Sequence, residues 1–113
     1  MTPRLVTHML VGLLIRSAQN EGGFATVLHK GDVISGIILV QTLEHGKETG
    51  LFERMADMQG HYKMTPIATQ YWGDTQGLAQ YIERRVRSDP DLWLIELDIP
   101  EPQRFIAQLF DES

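Results

Sequence analysis

Ser88-Asp89-Pro90-Asp91-Leu92-Trp93-Leu94-Ile95-Glu96-Leu97-Asp98 marks the point where a charged helical run gives way to a strand. Proline lacks the N–H that a helix needs and biases the residue before it away from helical geometry, so the helix stops at Pro90. Beyond it, Trp93, Ile95, Leu97 and Ile99 alternate onto one side, and Leu92, Leu94, Glu96 and Asp98 onto the other. This predicts a strand over Leu92–Ile99, ended by Pro100 and Pro102.

Upstream, Asp74 is placed to cap a helix over Thr75–Ser88, with Leu78, Tyr81, Ile82, Arg85 and Val86 turned inward. Four strand-like runs come before it: Phe24–His29, Ile37–Val40 extended by Thr42 and Leu43, Leu51–Met58 and His61–Ile67. The turns between them are short (Lys30-Gly31-Asp32 to Ser35-Gly36, His45-Gly46-Lys47, Gln59-Gly60), which favours antiparallel hairpins. Pro66 places the fourth run at an edge or ends it. The chain opens on a helix over Pro3–Glu21, with Thr2 as its N-cap and Gly22-Gly23 as its stop. Phe105, Ile106, Leu109 and Phe110 suggest a short C-terminal helical arm.

The expected class is therefore α+β: helix, four-strand antiparallel meander, helix, fifth strand, C-terminal arm, with the helices on one face of the sheet. One domain is expected over residues 1–113, with a core at 1–99 and the arm at 100–113.

Composition narrows the chemistry. The 113 residues include no cysteine, which excludes disulfides, thiolate catalysis and cysteine-held zinc or iron–sulfur centres. The net charge of -5 lacks the basic footprint of a nucleic-acid binder. Acids concentrate at the C-terminal end: from Ser88 onward Asp89, Asp91, Glu96, Asp98, Glu101, Asp111 and Glu112 face the single base Arg104. The apolar run Leu5–Ile15 is shorter than the ~20 residues a spanning helix needs. His8 and Gly12 interrupt it, and Ser17-Ala18-Gln19-Asn20-Glu21 is a poor cleavage site. A cytoplasmic protein without a membrane partner is expected.

The Asp89-Pro90-Asp91-Leu92-Trp93-Leu94-Ile95-Glu96 run resembles the closing signature of the alphaproteobacterial domain of unknown function 1491 family. Leu14-Ile15-Arg16, Gly31-Asp32 before Gly36-Ile37-Ile38-Leu39-Val40, and Tyr81-Ile82 ahead of Arg84, Arg85 and Arg87 are similar too, in the same order. The likeness runs from about Leu5 to Asp98. It implies a bacterial, cytoplasmic, single-domain protein and carries over no catalytic, ligand or cofactor residue.

Candidate sites come from the residues themselves. His8, His29, His45 and His61 lack metal-ligand spacing, so no metal or cofactor is expected. The Lys30-Gly31-Asp32 and Ser35-Gly36 segment reads as a hairpin turn without a phosphate-loop pattern. Arg84, Arg85 and Arg87 suit first the negative end of a helix dipole or local pairing with Glu83, Asp89 or Asp91, and second an anion or an acidic partner surface. Glu96 and Asp98 share a strand face, where they are either solvated or paired for proton transfer. Trp93, Phe24, Phe52 and Tyr62 read as core. Tyr71 and Trp72, next to Gly73-Asp74, form either a lid or a contact pair.

No catalytic constellation emerges. The leading expectation is a non-enzymatic interaction module that pairs with itself as a homodimer or with another protein. Ile37 and Leu39 face one way, Ile38 and Val40 the other, so a sheet with helices on one face leaves apolar surface to cover. Tyr71, Trp72, Leu94, Phe105, Leu109 and Phe110 are the candidate interface. The alternative is a small anionic-ligand protein or enzyme using Arg84, Arg85 or Arg87 for binding and Glu96 or Asp98 for proton transfer.

Overall fold

The structure is a computed structural model that describes residues 5–112. Its elements are α1 (Thr7–Asn20), β1 (Phe24–His29), β2 (Ile38–Glu44), β3 (Lys47–Ala56), β4 (Tyr62–Pro66), a 3-10 turn at Thr69–Tyr71, α2 (Thr75–Ser88), β5 (Trp93–Asp98) and α3 (Pro102–Phe110). The α+β class and the element order match the reading of the sequence. The proposed cap Thr2 and first-turn Pro3 lie outside the described residues.

α1 opens at Thr7, later than expected, because the β1–β2 loop caps it instead of a side chain. Thr7 N–H donates to Ile34 O at 3.1 Å and His8 N–H to Val33 O at 3.0 Å. The Thr7 hydroxyl adds contacts of 3.2 and 3.1 Å to the Ile34 and Gly36 carbonyls. Donors that a helix start leaves without intrahelical partners are thus satisfied by loop carbonyls. At the other end Gly22 takes φ +80°, and Gly23 N–H reaches back to Ala18 O at 2.8 Å, closing the helix as the glycine pair predicts.

The sheet order is β1-β5-β2-β3-β4. β2, β3 and β4 form the expected antiparallel meander. His45 and Gly46 both take positive φ in the two-residue turn between β2 and β3. β1 does not join that meander. β5 inserts between β1 and β2, antiparallel to the first and parallel to the second, so the sheet is mixed. The reason lies in β5 itself. Leu92, Trp93, Leu94, Ile95 and Leu97 are all buried, and a strand that is apolar on both sides belongs at the centre. The β1–β2 connection accordingly runs past the start of β5. Asp32 N–H donates to Asp91 O at 2.8 Å, Trp93 N–H to Ile37 O at 2.7 Å, and Trp93 Nε1 to Asp32 O at 2.7 Å.

The helices also divide between the two faces, where one face was expected. α1 and α3 pack Leu10, Leu14, Phe105, Ile106 and Phe110 against Ile38, Val40, Phe52, Ile95 and Leu97. α2 packs Leu78 and Ile82 against Leu39, Leu51, Leu92 and Leu94. The two-sided apolar strands therefore find cover within the chain. Uncovered sheet face is no longer an argument for assembly, and any such argument has to come from elsewhere on the surface.

Candidate interaction site

The arginine group separates once it is folded. Arg85 points to the sheet, with Nη1 3.0 Å from Glu53 Oε1 on β3 and 3.0 Å from the Tyr81 hydroxyl. Arg87 pairs with Glu83 one turn earlier at 2.7 Å, out in solvent, and Arg84 is exposed. Asp98 is occupied as well: its Oδ2 accepts from Gly46 N–H at 2.8 Å and holds the β2–β3 turn. The hollow of about 270 Å³ beside Asp98 is lined by Gly22, Gly23, Phe24, His45, Ile99 and Pro100, with no arginine among them. Glu96 is half-buried opposite Thr26 and Gln41.

Asp32 organises its own loop, as a turn reading requires. Its Oδ2 accepts from Ile34 N–H at 3.0 Å and Ser35 N–H at 2.8 Å. The Ser35 and Ile34 amides hold its carboxyl below the ordinary value, with burial pushing weakly the other way. Those amides are consequently not open to an outside anion. The histidines stay apart. His8 Nδ1 lies 3.1 Å from Val33 O, His29 Nδ1 lies 2.8 Å from Leu92 O, His45 sits in the β2–β3 turn, and His61 N–H donates to Asp57 Oδ1 at 2.9 Å. Among the described residues no three of His, Asp and Glu gather as an ion site.

Leu94, Phe105 and Phe110 are buried in the chain's own cores, and Leu109 is half-buried against α3's core. Tyr71 and Trp72 straddle the sheet. Tyr71 packs with α2's core, while Trp72 packs against Phe52 on the opposite face, ring centres 5.4 Å apart. Trp72 Nε1 donates to Ile67 O at 3.0 Å.

The exposed apolar surface lies elsewhere. Among the described residues, the exposed large apolar side chains other than Met55 and Met58 fall between Leu5 and Ile37. It comprises Leu5 and Met9 at the start of α1, Phe24, Val27 and Leu28 on β1, and Val33, Ile34 and Ile37 in the β1–β2 loop. Phe24 is 73% exposed and Ile34 59%. Phe24 was read as core. It is not, because β1 is an outer strand and Phe24 sits opposite Asp98 on the face of α2, beyond that helix's packing. Strand composition reveals an aromatic but not its distance from the sheet's centre.

The two sheet edges differ. Along β4 the tail after α3 supplies a strand's worth of bonds. Glu112 N–H donates to Tyr62 O at 2.8 Å, Tyr62 N–H donates to Glu112 Oε1 at 3.0 Å, and Met64 N–H donates to Asp111 Oδ1 at 2.7 Å. β1 has β5 on one side and, among the described residues, no strand on the other.

No curated protein matches the chain. Solved structures do. The crystal structure of a DUF1491 family protein from Caulobacter crescentus CB15 has a TM-score of 0.76 at 33% identity, over 85% of this chain and 89% of that one. The NMR structure of a DUF1491 family protein from the same organism gives 0.77 at 31%, over 92% and 94%. The solution structure of protein Atu0922 from A. tumefaciens gives 0.74 at 28%, over 98% of each chain. The family model described as protein of unknown function (DUF1491) matches residues 5–107, and the chain belongs to that family.

Proposed function

We propose that this protein is a non-enzymatic, cytoplasmic interaction module that associates with itself. The carrying observation is the gathering of exposed apolar side chains on β1, the start of α1 and the loop between β1 and β2. Leu5, Ile34 and Ile37 line one hollow where the β1–β2 loop caps α1, and adjoining exposed apolar surface of this kind marks docking sites on soluble proteins. Support for an interaction role also comes from what the charged residues do. Arg85, Arg87, Asp32 and Asp98 are committed to partners inside the chain, which leaves little for binding or proton transfer. The anionic-ligand reading needs Arg84, Arg85 or Arg87 on one concavity with Glu96 or Asp98; the hollow beside Asp98 has no arginine in its lining, and Arg85 and Arg87 are paired elsewhere. The net charge of -5 argues against nucleic acid as the partner, and the absence of cysteine fits a reducing compartment. Among the described residues no helix is long and apolar enough to cross a membrane.

Light scattering across the micromolar range tests this. The expected mass is about twice the 12.9 kDa of one chain. A monomer mass throughout that range would overturn self-association.

A further inference from the structure

We infer that the hollow beside the start of α1 binds a short aliphatic carboxylate, with Arg54 holding the carboxylate and the β1–β2 loop enclosing the chain. This goes beyond self-association and uses a different arginine from those on α2. The hollow has a volume of about 250 Å³. That is the space of roughly eight waters at ~30 Å³ each. Leu5, Leu10, Ile34, Ile37 and Ile38 form its apolar wall. Such a wall selects an aliphatic body, and the small volume limits that body to a short chain.

Arg54 selects the sign of the ligand. Among the described residues lining the hollow, it is the one charged side chain. It lies two residues after Phe52 on β3, so it shares the sheet face that α1 and α3 cover. Its guanidinium carbon lies 3.8 Å from the centre of the Tyr62 ring, and its Nη2 lies 3.5 Å from Glu112 Oε2. The side chain is 12% exposed. A cation so far out of water needs a carboxylate against it, and the guanidinium fork suits one well. Glu112 supplies a carboxylate from within the chain, but 3.5 Å is longer than the ~2.7–2.9 Å of a strong charge-assisted bond. Glu112 is meanwhile tied to Tyr62, its N–H donating to Tyr62 O at 2.8 Å and its Oε1 accepting from Tyr62 N–H at 3.0 Å. A ligand carboxylate without that tether comes closer and takes the arginine from Glu112. The neighbouring acids do not compete: Asp32 is held by the Ile34 and Ser35 amides, and Asp111 by the Met64 amide.

The test titrates the full chain with sodium hexanoate, sodium butyrate and hexan-1-ol, followed by the amide chemical shifts of Leu10, Ile37 and Ile38. Hexanoate is expected to bind with a Kd of about 1 mM or below. Butyrate, two carbons shorter, is expected to bind about tenfold more weakly. Hexan-1-ol keeps the chain but lacks the charge, and is also expected to bind about tenfold more weakly. Arg54→Met is expected to weaken hexanoate binding about tenfold. Glu112→Gln keeps an oxygen for the Tyr62 amide but removes the competing charge, and is expected to tighten hexanoate binding about threefold. If Arg54→Met does not fold, the three ligands on wild type and the Glu112→Gln variant still decide. Hexan-1-ol binding as tightly as hexanoate, or Glu112→Gln leaving hexanoate affinity unchanged, overturns the role of Arg54. Shifts that do not move with hexanoate up to about 10 mM overturn the site altogether. Light scattering on the same samples separates this from self-association: a monomer that binds hexanoate keeps the site, and a dimer that does not keeps only the assembly.

Discussion

Arg85 on α2 and Glu53 on β3 meet at 3.0 Å, and theirs is the ion pair that ties this helix to the sheet. Desolvation works against the guanidinium charge. The Tyr81 hydroxyl and the Glu53 carboxylate outweigh it, so the net shift is upward and Arg85 stays charged. Both side chains are largely shielded from water, so removing one partner leaves the other poorly satisfied. Arg85→Ala is expected to lower unfolding free energy by about 1–2 kcal/mol, discounted for partial exposure. Denaturant titration of Arg85→Ala, Glu53→Ala and the double variant checks it. Strictly additive losses would show that the pair contributes nothing of its own.

Asp32 gives the protein an acid-sensitive loop. Backbone amides from Ser35 and Ile34 depress its folded pKa. A depressed carboxyl stabilises the fold above its unfolded value, ~4, and loses that contribution as pH falls through the lower folded value. Asp32→Ala should therefore lower Tm at pH 6, and its gap from wild type should narrow steadily below about pH 4. Thermal unfolding of both proteins from pH 7 to pH 2.5 reads this directly. A gap of constant size across that range would mean that the carboxylate's hydrogen bonds do not stabilise the loop.

The same loop explains two glycines. A Cβ on Gly31 or on Gly36 would collide with the Asp91 carbonyl, because both residues press against the segment that enters β5. Neither collision can be relieved by rotating a side chain. Gly31→Ala and Gly36→Ala are each expected to cost about 2–4 kcal/mol of stability. Gly12 is the contrast. It lies inside α1, and its added Cβ would meet only the mobile end of Arg16, at 3.1 Å. Gly12→Ala is expected to stabilise by about 0.5–1 kcal/mol through helix propensity. Urea midpoints for the three variants check both signs.

What the sequence revealed and what it hid follow one physical division. Local signals were readable: Pro90 ended α2, Gly22-Gly23 ended α1, and the apolar run through Ile38–Val40 correctly required cover on both faces. Which element covers which face depends on long-range packing. The stripe of Leu78 and Ile82 defines an inward side for α2 but no sheet face, so sequence alone does not divide the helices between the faces. The site was less legible still. Phe24 looks like any core aromatic until the strand order puts it at an edge, and that order hinges on β5 displacing β2 from β1. In the sequence Asp111 and Glu112 are only two of the acids concentrated at the C-terminal end, yet they act as hydrogen-bond acceptors and a donor for β4.

That acidic tail is the final testable element. Its bonds to Tyr62 and Met64 occupy the outer side of β4, and two of them end on carboxylate oxygens, which strengthens them. Ending the chain at Phe110 would free this side while leaving α3 and its core contacts in place. The shortened protein should lose about 1–2 kcal/mol of stability, and the Tyr62 and Met64 amides should exchange faster. It should also associate more readily than the full chain as concentration rises, because the freed side of β4 presents unpaired main-chain groups to a neighbour. Light scattering and amide exchange on the shortened and full chains decide this. If the shortened protein keeps the full chain's association state and the same Tyr62 and Met64 exchange rates, the tail does not guard the edge.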